Sequence, residues 1–412
     1  MQYDMTKRNK CPICSSTVSQ TLLSYDAFPY FTVPVSRLLK EKILEEYTDG
    51  QLTAPLNVKV CEECCHCYLA ILPNQEIIDN MYSNYFTYPS ALEGHFQPER
   101  DDRFLEFFGE KAEILCKSKK LNSILEIGCY DGYILHGLQQ KGFTVTGCDP
   151  SEGADIGRKH GLKILREYFN PELFAEKGLL FDIIISRHFI EHTVNPLEWL
   201  KDLSMIMNKG GFIILETPNV QFYLKEGLLE VFSLQHLHGF SPYSLDYAMN
   251  EAELKVVKME KTPSNLITIV EKGVYNGSDR IKSFYQITND FYQEYDRTKL
   301  FLKEIAIDFG KKKVFLWGGG SFAIAAITLY GIPLKNIHSI IDSDEKKWGM
   351  EYLHNSLPII SPAKAKQNKP DLIIITSMYS QTIKKQISEM KFKCNVLSIF
   401  PMISYDDLPT HC

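Results

Sequence analysis

Apolar residues in this chain gather into short continuous runs, each closed by glycine or a polar residue, a pattern that predicts strands buried on both faces. Leu125-Glu126-Ile127, Phe143-Thr144-Val145-Thr146-Gly147-Cys148, Phe181-Asp182-Ile183-Ile184-Ile185-Ser186 and Phe212-Ile213-Ile214-Leu215-Glu216 follow one another through the middle of the chain. Leu254–Lys258 and Leu266–Val270 close this first series. Between its members, Asn195-Pro196-Leu197-Glu198-Trp199-Leu200 reads as a helix start, because a proline is accommodated in the first turn. Lys209-Gly210-Gly211 reads as a turn into the strand that follows. A second series runs through Val314-Phe315-Leu316-Trp317, Ile337–Ile341 and Asp371–Thr376. The turn signal Asn276-Gly277 separates the two series, and a long helix is expected through Phe284, Phe291, Tyr295 and Leu302. The fold class is α/β, with two Rossmann-like units in succession.

Composition narrows the partners. The 412 residues are 44% hydrophobic and 23% charged with a formal net charge of −6, the balance of an ordinary globular protein. Lys311-Lys312-Lys313 is the densest basic run, so a nucleic-acid partner is not expected. The N-terminus has no apolar core behind its charges, and no apolar run is long enough to span a bilayer, so the expected compartment is the cytoplasm. Eleven cysteines in such a chain point to metal binding or burial before disulfides. Cys11-Pro12-Ile13-Cys14 and Cys61-Glu62-Glu63-Cys64 are two C-x-x-C knuckles, each placing two thiolates on one tight turn, and together they supply the ligands of a tetrahedral zinc site. Cys65, His66 and Cys67 crowd the second knuckle and leave the ligand register open; Cys11, Cys14, Cys61 and Cys64 are the favoured set. A closed four-thiolate site is structural, since it leaves no position for a substrate.

The strand ending Leu125-Glu126-Ile127 runs into Gly128-Cys129-Tyr130-Asp131-Gly132, and Asp149 stands at the end of the next strand. Glycines that admit close backbone approach, followed by an acidic residue for ribose hydroxyls, make a nucleoside site. A dinucleotide turn wants glycine at position 130, where tyrosine stands. The spacing Glu-x-Gly-x-x-x-Gly resembles that of class I S-adenosylmethionine-dependent methyltransferases. Phe181–Ser186 with Glu191-His192 and Pro196-Leu197, and Lys209-Gly210-Gly211 with Thr217-Pro218-Asn219, look like the fourth and fifth strand regions of that family. The resemblance implies that Glu126 organises the turn and meets the methionine end of the cofactor. It further implies that Gly128 and Gly132 give backbone access, that Asp149 holds the ribose, and that Ser186 and Arg187 lie beside the cofactor.

The order of zinc lobe (1–75), methyltransferase domain with its connector (76–272) and C-terminal α/β domain (273–412) resembles the sugar C-methyltransferases of deoxysugar biosynthesis. Gly318-Gly319-Gly320 and the stretch Asp342–Gly349 belong to that likeness. The resemblance implies a nucleotide-linked keto sugar as substrate, deprotonated beside its ketone so that the enolate attacks the sulfonium methyl. His192 matches a family histidine after the fourth strand, and Tyr85 or Tyr88 a tyrosine of the connector. After the fifth strand the family's Tyr-x-Glu-His run reads Ser233-Leu234-Gln235-His236 here, so Gln235 stands where a carboxylate would raise the histidine's basicity. Gln235–Pro242, with its Phe-Ser-Pro turn, also resembles O-methyltransferases, in which the same histidine takes the proton from a hydroxyl. His236 is the first choice of base and His192 the second. Methylation of carbon in a sugar nucleotide is narrowly favoured over methylation of oxygen. A third possibility is an NAD-dependent oxidoreductase using Gly318, Gly320, Ala323 and Asp342, and a fourth is a non-catalytic binding protein. Oligomeric state is not legible in the sequence.

Overall fold

The computed structural model describes residues 6–47, 49–80, 98–262, 264–274, 288–289, 291–293, 295–297, 312–353 and 357–399. Tyr85, Tyr88, the Asn276-Gly277 turn and two of the four positions expected in the long helix, Phe284 and Leu302, lie outside them. Among the described residues no helix is long and apolar enough to cross a membrane.

The chain opens with three antiparallel strands, β1 (Ser19–Pro29), β2 (Thr53–Cys61) and β3 (Cys67–Leu69). Along β2, Ala54, Leu56, Val58 and Val60 are buried and alternate with partly exposed residues, the period of a sheet with one face on a core. The tight turn Cys61–Cys64 joins β2 to β3, so the second knuckle is built into this hairpin.

Five parallel strands follow: β4 (Ser123–Ile127), β5 (Thr144–Cys148), β6 (Ile164–Leu165), β7 (Phe181–Arg187) and β8 (Met207–Pro218). A two-residue strand, β9 (His238–Gly239), then leaves this sheet and pairs with β3, tying the N-terminal lobe to the segment after β8. The chain returns as β10 (Leu254–Lys261) and β11 (Asn265–Lys272), the latter inserted antiparallel beside β8. The seven strands lie in the order β10-β11-β8-β7-β4-β5-β6. Counted within the sheet this is 3-2-1-4-5-7-6 with the seventh reversed, the Rossmann-like class I methyltransferase fold. The central strands β4 and β7 carry Leu125, Ile127 and Ile184 to one core and Ile124, Ile183 and Ile185 to another, which accounts for their continuous apolar runs.

One expectation changes in detail. Lys209-Gly210-Gly211 is not a free turn before the strand but a bulge inside β8: Phe181 pairs with Met207 and Ile183 with Phe212, leaving the glycines between. Gly210 has φ +83°, which an L-residue rarely adopts, and this kink lets the strand begin early and rejoin its ladder.

The last sheet is entirely parallel, β12 (Val314–Trp317), β13 (Ile337–Ile341), β14 (Ile359–Ile360), β15 (Leu372–Ile375) and β16 (Asn395–Ser398), in the order β14-β13-β12-β15-β16. One of its faces shares a continuous core with the N-terminal lobe and the segment after β8, through Phe28, Leu56, Leu229, Leu234, Ala323 and Tyr352. Lys40 reaches Glu351 at 2.9 Å across the same contact. The segment 229–237, which carries His236, is thereby packed by both flanking units.

Candidate active site

The turn after β4 is held by its own backbone. Gly128 (φ +72°) donates its N–H to the Cys148 carbonyl at 2.9 Å, and Tyr130 donates to Asp149 Oδ2 at 2.8 Å. The other Asp149 oxygen accepts the Ser151 N–H at 2.9 Å and the Ser151 hydroxyl. Asp149 therefore fastens the glycine turn to the end of β5, and Oδ2, which accepts from Tyr130, has a second lone pair to offer a ribose hydroxyl. A Cβ on Gly128 would lie 3.0 Å from the Phe189 ring, which stacks on Trp199, and would sit at a φ that strains it. Gly128→Ala is expected to weaken S-adenosylmethionine binding about tenfold, a loss of roughly 1.4 kcal/mol, measured by calorimetry.

Glu126 is buried at the penultimate position of β4, and Ser186 is buried near the end of β7. The Ser186 hydroxyl has no partner among the described residues, so it is available to a ligand at the carboxyl ends of the strands. The Arg187 Nε donates to Glu216 Oε2 at 2.7 Å and its guanidinium lies 4.6 Å over the Phe104 ring. Glu216 also accepts from Asn265 at 2.8 Å. Burial pushes the Glu216 carboxyl up, and Arg187 and His188 more than offset that, so it stays ionised. Tyr130 covers Gly153, where a Cβ would meet its ring at 2.6 Å, so the ring packs on a residue with no side chain.

Beyond β7 and β8 the structure brings His192 and His236 together, with ring centroids 4.9 Å apart. His192 Nδ1 lies 2.8 Å from the Gln235 carbonyl and His236 Nδ1 lies 2.7 Å from the Val231 carbonyl. A carbonyl can only accept, so both rings carry their proton on Nδ1, and Nε2 is the unprotonated nitrogen. Burial, aided by His236, lowers His192 to about 4, and burial lowers His236 as well. Glu191 stands next to them, fully buried, with Oε2 accepting the Thr217 hydroxyl at 3.0 Å and Oε1 3.4 Å from His188 Nδ1. Burial raises this carboxyl, but His188 and the neighbouring imidazoles bring it down to about 2. Gln235 turns away and donates to the Tyr30 carbonyl at 3.2 Å. Sequence reasoning missed Glu191 as a member of the site, although it immediately precedes His192.

The four expected cysteines converge, with Cys11 Sγ 3.5 Å from Cys64 Sγ and Cys14 Sγ 3.4 Å from Cys61 Sγ. Four thiolates on tetrahedral zinc at about 2.3 Å stand about 3.8 Å apart, so the group fits that ion. Hydrogen bonding among the sulfurs pulls the Cys61 thiol down to about 2 and pushes Cys11 and Cys64 up, so the cluster by itself carries little charge; a cation lets all four ionise. The crowding residues take other roles: Cys65 and Cys67 are core, and His66 Nε2 lies 2.8 Å from His238 Nδ1. Arg8 donates to the Val194 carbonyl two residues beyond His192.

Both rings of the His66–His238 pair are buried, which lowers His66 to about 3 and His238 well below its usual value. The unfolded chain protonates these rings near pH 6.5, whereas the folded chain resists until far lower, so over that window the unfolded state binds more protons. The unfolding midpoint is expected to fall from pH 7 toward pH 5, and His238→Phe to flatten that slope. A midpoint constant over this range in the native chain would contradict the assignment.

In the C-terminal sheet, Gly318 (φ +126°) has no room for a side chain, since a Cβ would lie 2.5 Å from the Thr376 carbonyl. Asp342 accepts the Gly319 N–H at 2.7 Å and pairs with Lys347 at 3.1 Å through one oxygen, and accepts the Asp344 N–H at 2.9 Å through the other. These contacts close the turn on itself.

Residues 95–259 match the family model described as a methyltransferase domain, and residues 310–396 match one described as C2185-like, N-terminal. The ubiquinone biosynthesis O-methyltransferase of Ruegeria sp. is 33% identical over 101 residues, covering 23% of this chain and 41% of that protein. Its mitochondrial counterpart from Arabidopsis thaliana is 34% identical over 102 residues, covering 23% of this chain and 32% of that protein. The chain thus spans about two fifths of the length of the first relative and a third of the second. Among solved structures, magnesium protoporphyrin IX methyltransferase from Synechocystis, with bound SAH, aligns at 14% identity over 48% of this chain and 100% of that one, with a TM-score of 0.37. The strand order, the glycine turn and the matched segment define a class I S-adenosylmethionine-dependent methyltransferase domain. The likeness to sugar C-methyltransferases has no counterpart among these relatives, which are named as O-methyltransferases.

Proposed function

We propose that the chain transfers a methyl group from S-adenosylmethionine to an oxygen of a small polar acceptor, with a sugar nucleotide as the acceptor class. The reading rests on one observation, two imidazoles from separate segments brought side by side, each fixed through Nδ1 to a backbone carbonyl. In this reading Glu126 meets the methionine end of the cofactor, Asp149 the ribose, and Ser186 an edge of the bound molecule. The methyl group moves in line from sulfonium to acceptor, so holding the two in register supplies much of the acceleration. His236 takes the acceptor proton, His192 orients it, and Glu191 stabilises the imidazolium that forms.

Oxygen is favoured because Gln235 is committed to the Tyr30 carbonyl and Ser233 to the His236 backbone N–H at 3.2 Å. Neither supplies the phenol or carboxylate that enolate formation draws on in the sugar C-methyltransferases. Carbon methylation remains the second reading, supported by the succession of zinc lobe, methyltransferase core and C-terminal α/β unit. Incubation with S-adenosylmethionine and a panel of keto and fully hydroxylated nucleotide sugars, followed by mass spectrometry, tests the choice. A methyl ether on a hydroxylated sugar is the expected product. A methyl on carbon, with loss of the hydrogen beside a ketone, would establish the second reading instead.

A further inference from the structure

Building on the methyl-transfer reading of this pocket, the chemistry of its acceptor side goes one step further. Glu191, His192 and His236 each bring one ligand atom into a group whose members all lie within 4.8 Å of one another. The two imidazoles reach it from separate segments, one after β7 and one after β8. Each turns Nδ1 to a backbone carbonyl, of Gln235 and of Val231, which is how ring orientation and tautomer are fixed in metal-ligating histidines. Glu191 is itself steadied by the Thr217 hydroxyl at 3.0 Å, so all three donors have a supporting contact. Bonds of about 2.0–2.2 Å place donor atoms about 3–4 Å apart, so side-chain rotation closes this group on an ion.

We propose that Glu191, His192 and His236 hold a divalent transition-metal ion at the acceptor side of the cofactor pocket. Two imidazoles and one carboxylate leave coordination positions open, and the set favours first-row divalent ions over calcium or magnesium. The acceptor hydroxyl occupies one open position, where the ion lowers its pKa. Its proton passes to water, its oxygen forms the new bond to the methyl carbon as the carbon–sulfur bond breaks, and the sulfonium leaves as a neutral thioether. In the ion-loaded chain this step replaces proton transfer to His236, which then acts as a ligand, so His236→Gln lowers turnover through loss of the ion.

Manganese(II) is the probe, because it prefers nitrogen and oxygen ligands and leaves a zinc-loaded thiolate centre untouched. The full zinc-loaded chain is titrated with Mn(II) and free ion is read by electron paramagnetic resonance, without substrate. One Mn(II) per chain is expected, bound at least about tenfold more weakly after either Glu191→Gln or His236→Gln. Cofactor affinity, measured in parallel, is expected to stay within twofold in both variants, which shows that the pocket is folded. No uptake by the native chain, or uptake that both substitutions leave unchanged, would overturn the proposal. Because metal is read without turnover, its failure leaves methyl transfer by imidazole base intact. Mn(II) uptake with no methyl transferred to any acceptor would sink the other reading alone.

Discussion

His236→Gln is expected to lower kcat about a hundredfold while leaving S-adenosylmethionine affinity within twofold, the usual range for loss of a general base. The partition follows from geometry. In the proposed reading the cofactor meets the turn Gly128–Gly132 and Asp149, whose contacts run to Tyr130 and Ser151. His236 lies outside that network, anchored to the Val231 carbonyl on a segment packed against the N-terminal lobe and the C-terminal sheet. Glutamine can keep an N–H donor toward Val231 but offers no basic lone pair where Nε2 stood. Single-turnover kinetics with calorimetric cofactor binding separate the two quantities. Unchanged turnover would make His236 a shaping residue, and a parallel collapse of cofactor affinity would mean that the substitution had disturbed the fold.

Removing the four-cysteine centre is expected to have a comparable effect by a longer route. The second knuckle is the hairpin between β2 and β3, and β3 pairs with β9 two residues after His236. His66 beside that knuckle contacts His238, and Arg8 beside the first holds the Val194 carbonyl just after His192. Loss of the metal thus loosens both segments that deliver the paired imidazoles, and displacement of reacting groups by about 1 Å costs about a hundredfold in rate. The glycine turn is held by its own bonds to the Cys148 carbonyl and to Asp149 rather than by the cysteines, so cofactor binding should survive. Metal analysis should give one zinc per chain, lost in Cys61→Ser together with turnover, while the cofactor dissociation constant stays within about twofold. A zinc-free native chain would refute the assignment, and a zinc-free variant at full turnover would show that the centre does not position the site.

Much of this was legible before any coordinates, for reasons that differ from residue to residue. The strands of both Rossmann-like sheets are continuous apolar runs because both faces are covered, and a run bounded by glycine needs no tertiary context to be read. The four cysteines were readable because knuckle spacing fixes two ligands at a time. Other features depend on contacts made far along the chain. The bond of Arg187 to Glu216 and its place over Phe104 are set by strand register, which spacing cannot reveal. Glu191 escaped notice because a lone glutamate next to a histidine carries no signal until the chain returns from β8 with His236. The exchange of β9 into the N-terminal sheet was hidden because two residues are too few to show a period. Asp342 directly follows β13, and its bonds to Gly319, Asp344 and Lys347 close the turn around it.

The central claim is methyl transfer from a cofactor held by the glycine turn and Asp149. Its most direct test is turnover with methyl-deuterated S-adenosylmethionine and the nucleotide-sugar panel, comparing the native chain with Asp149→Ala. The native chain is expected to give S-adenosylhomocysteine and a trideuteromethylated product in equal amounts, with both lost together in the variant as cofactor binding fails. S-adenosylhomocysteine without a labelled product, or an Asp149→Ala chain that turns over at the native rate, would contradict it.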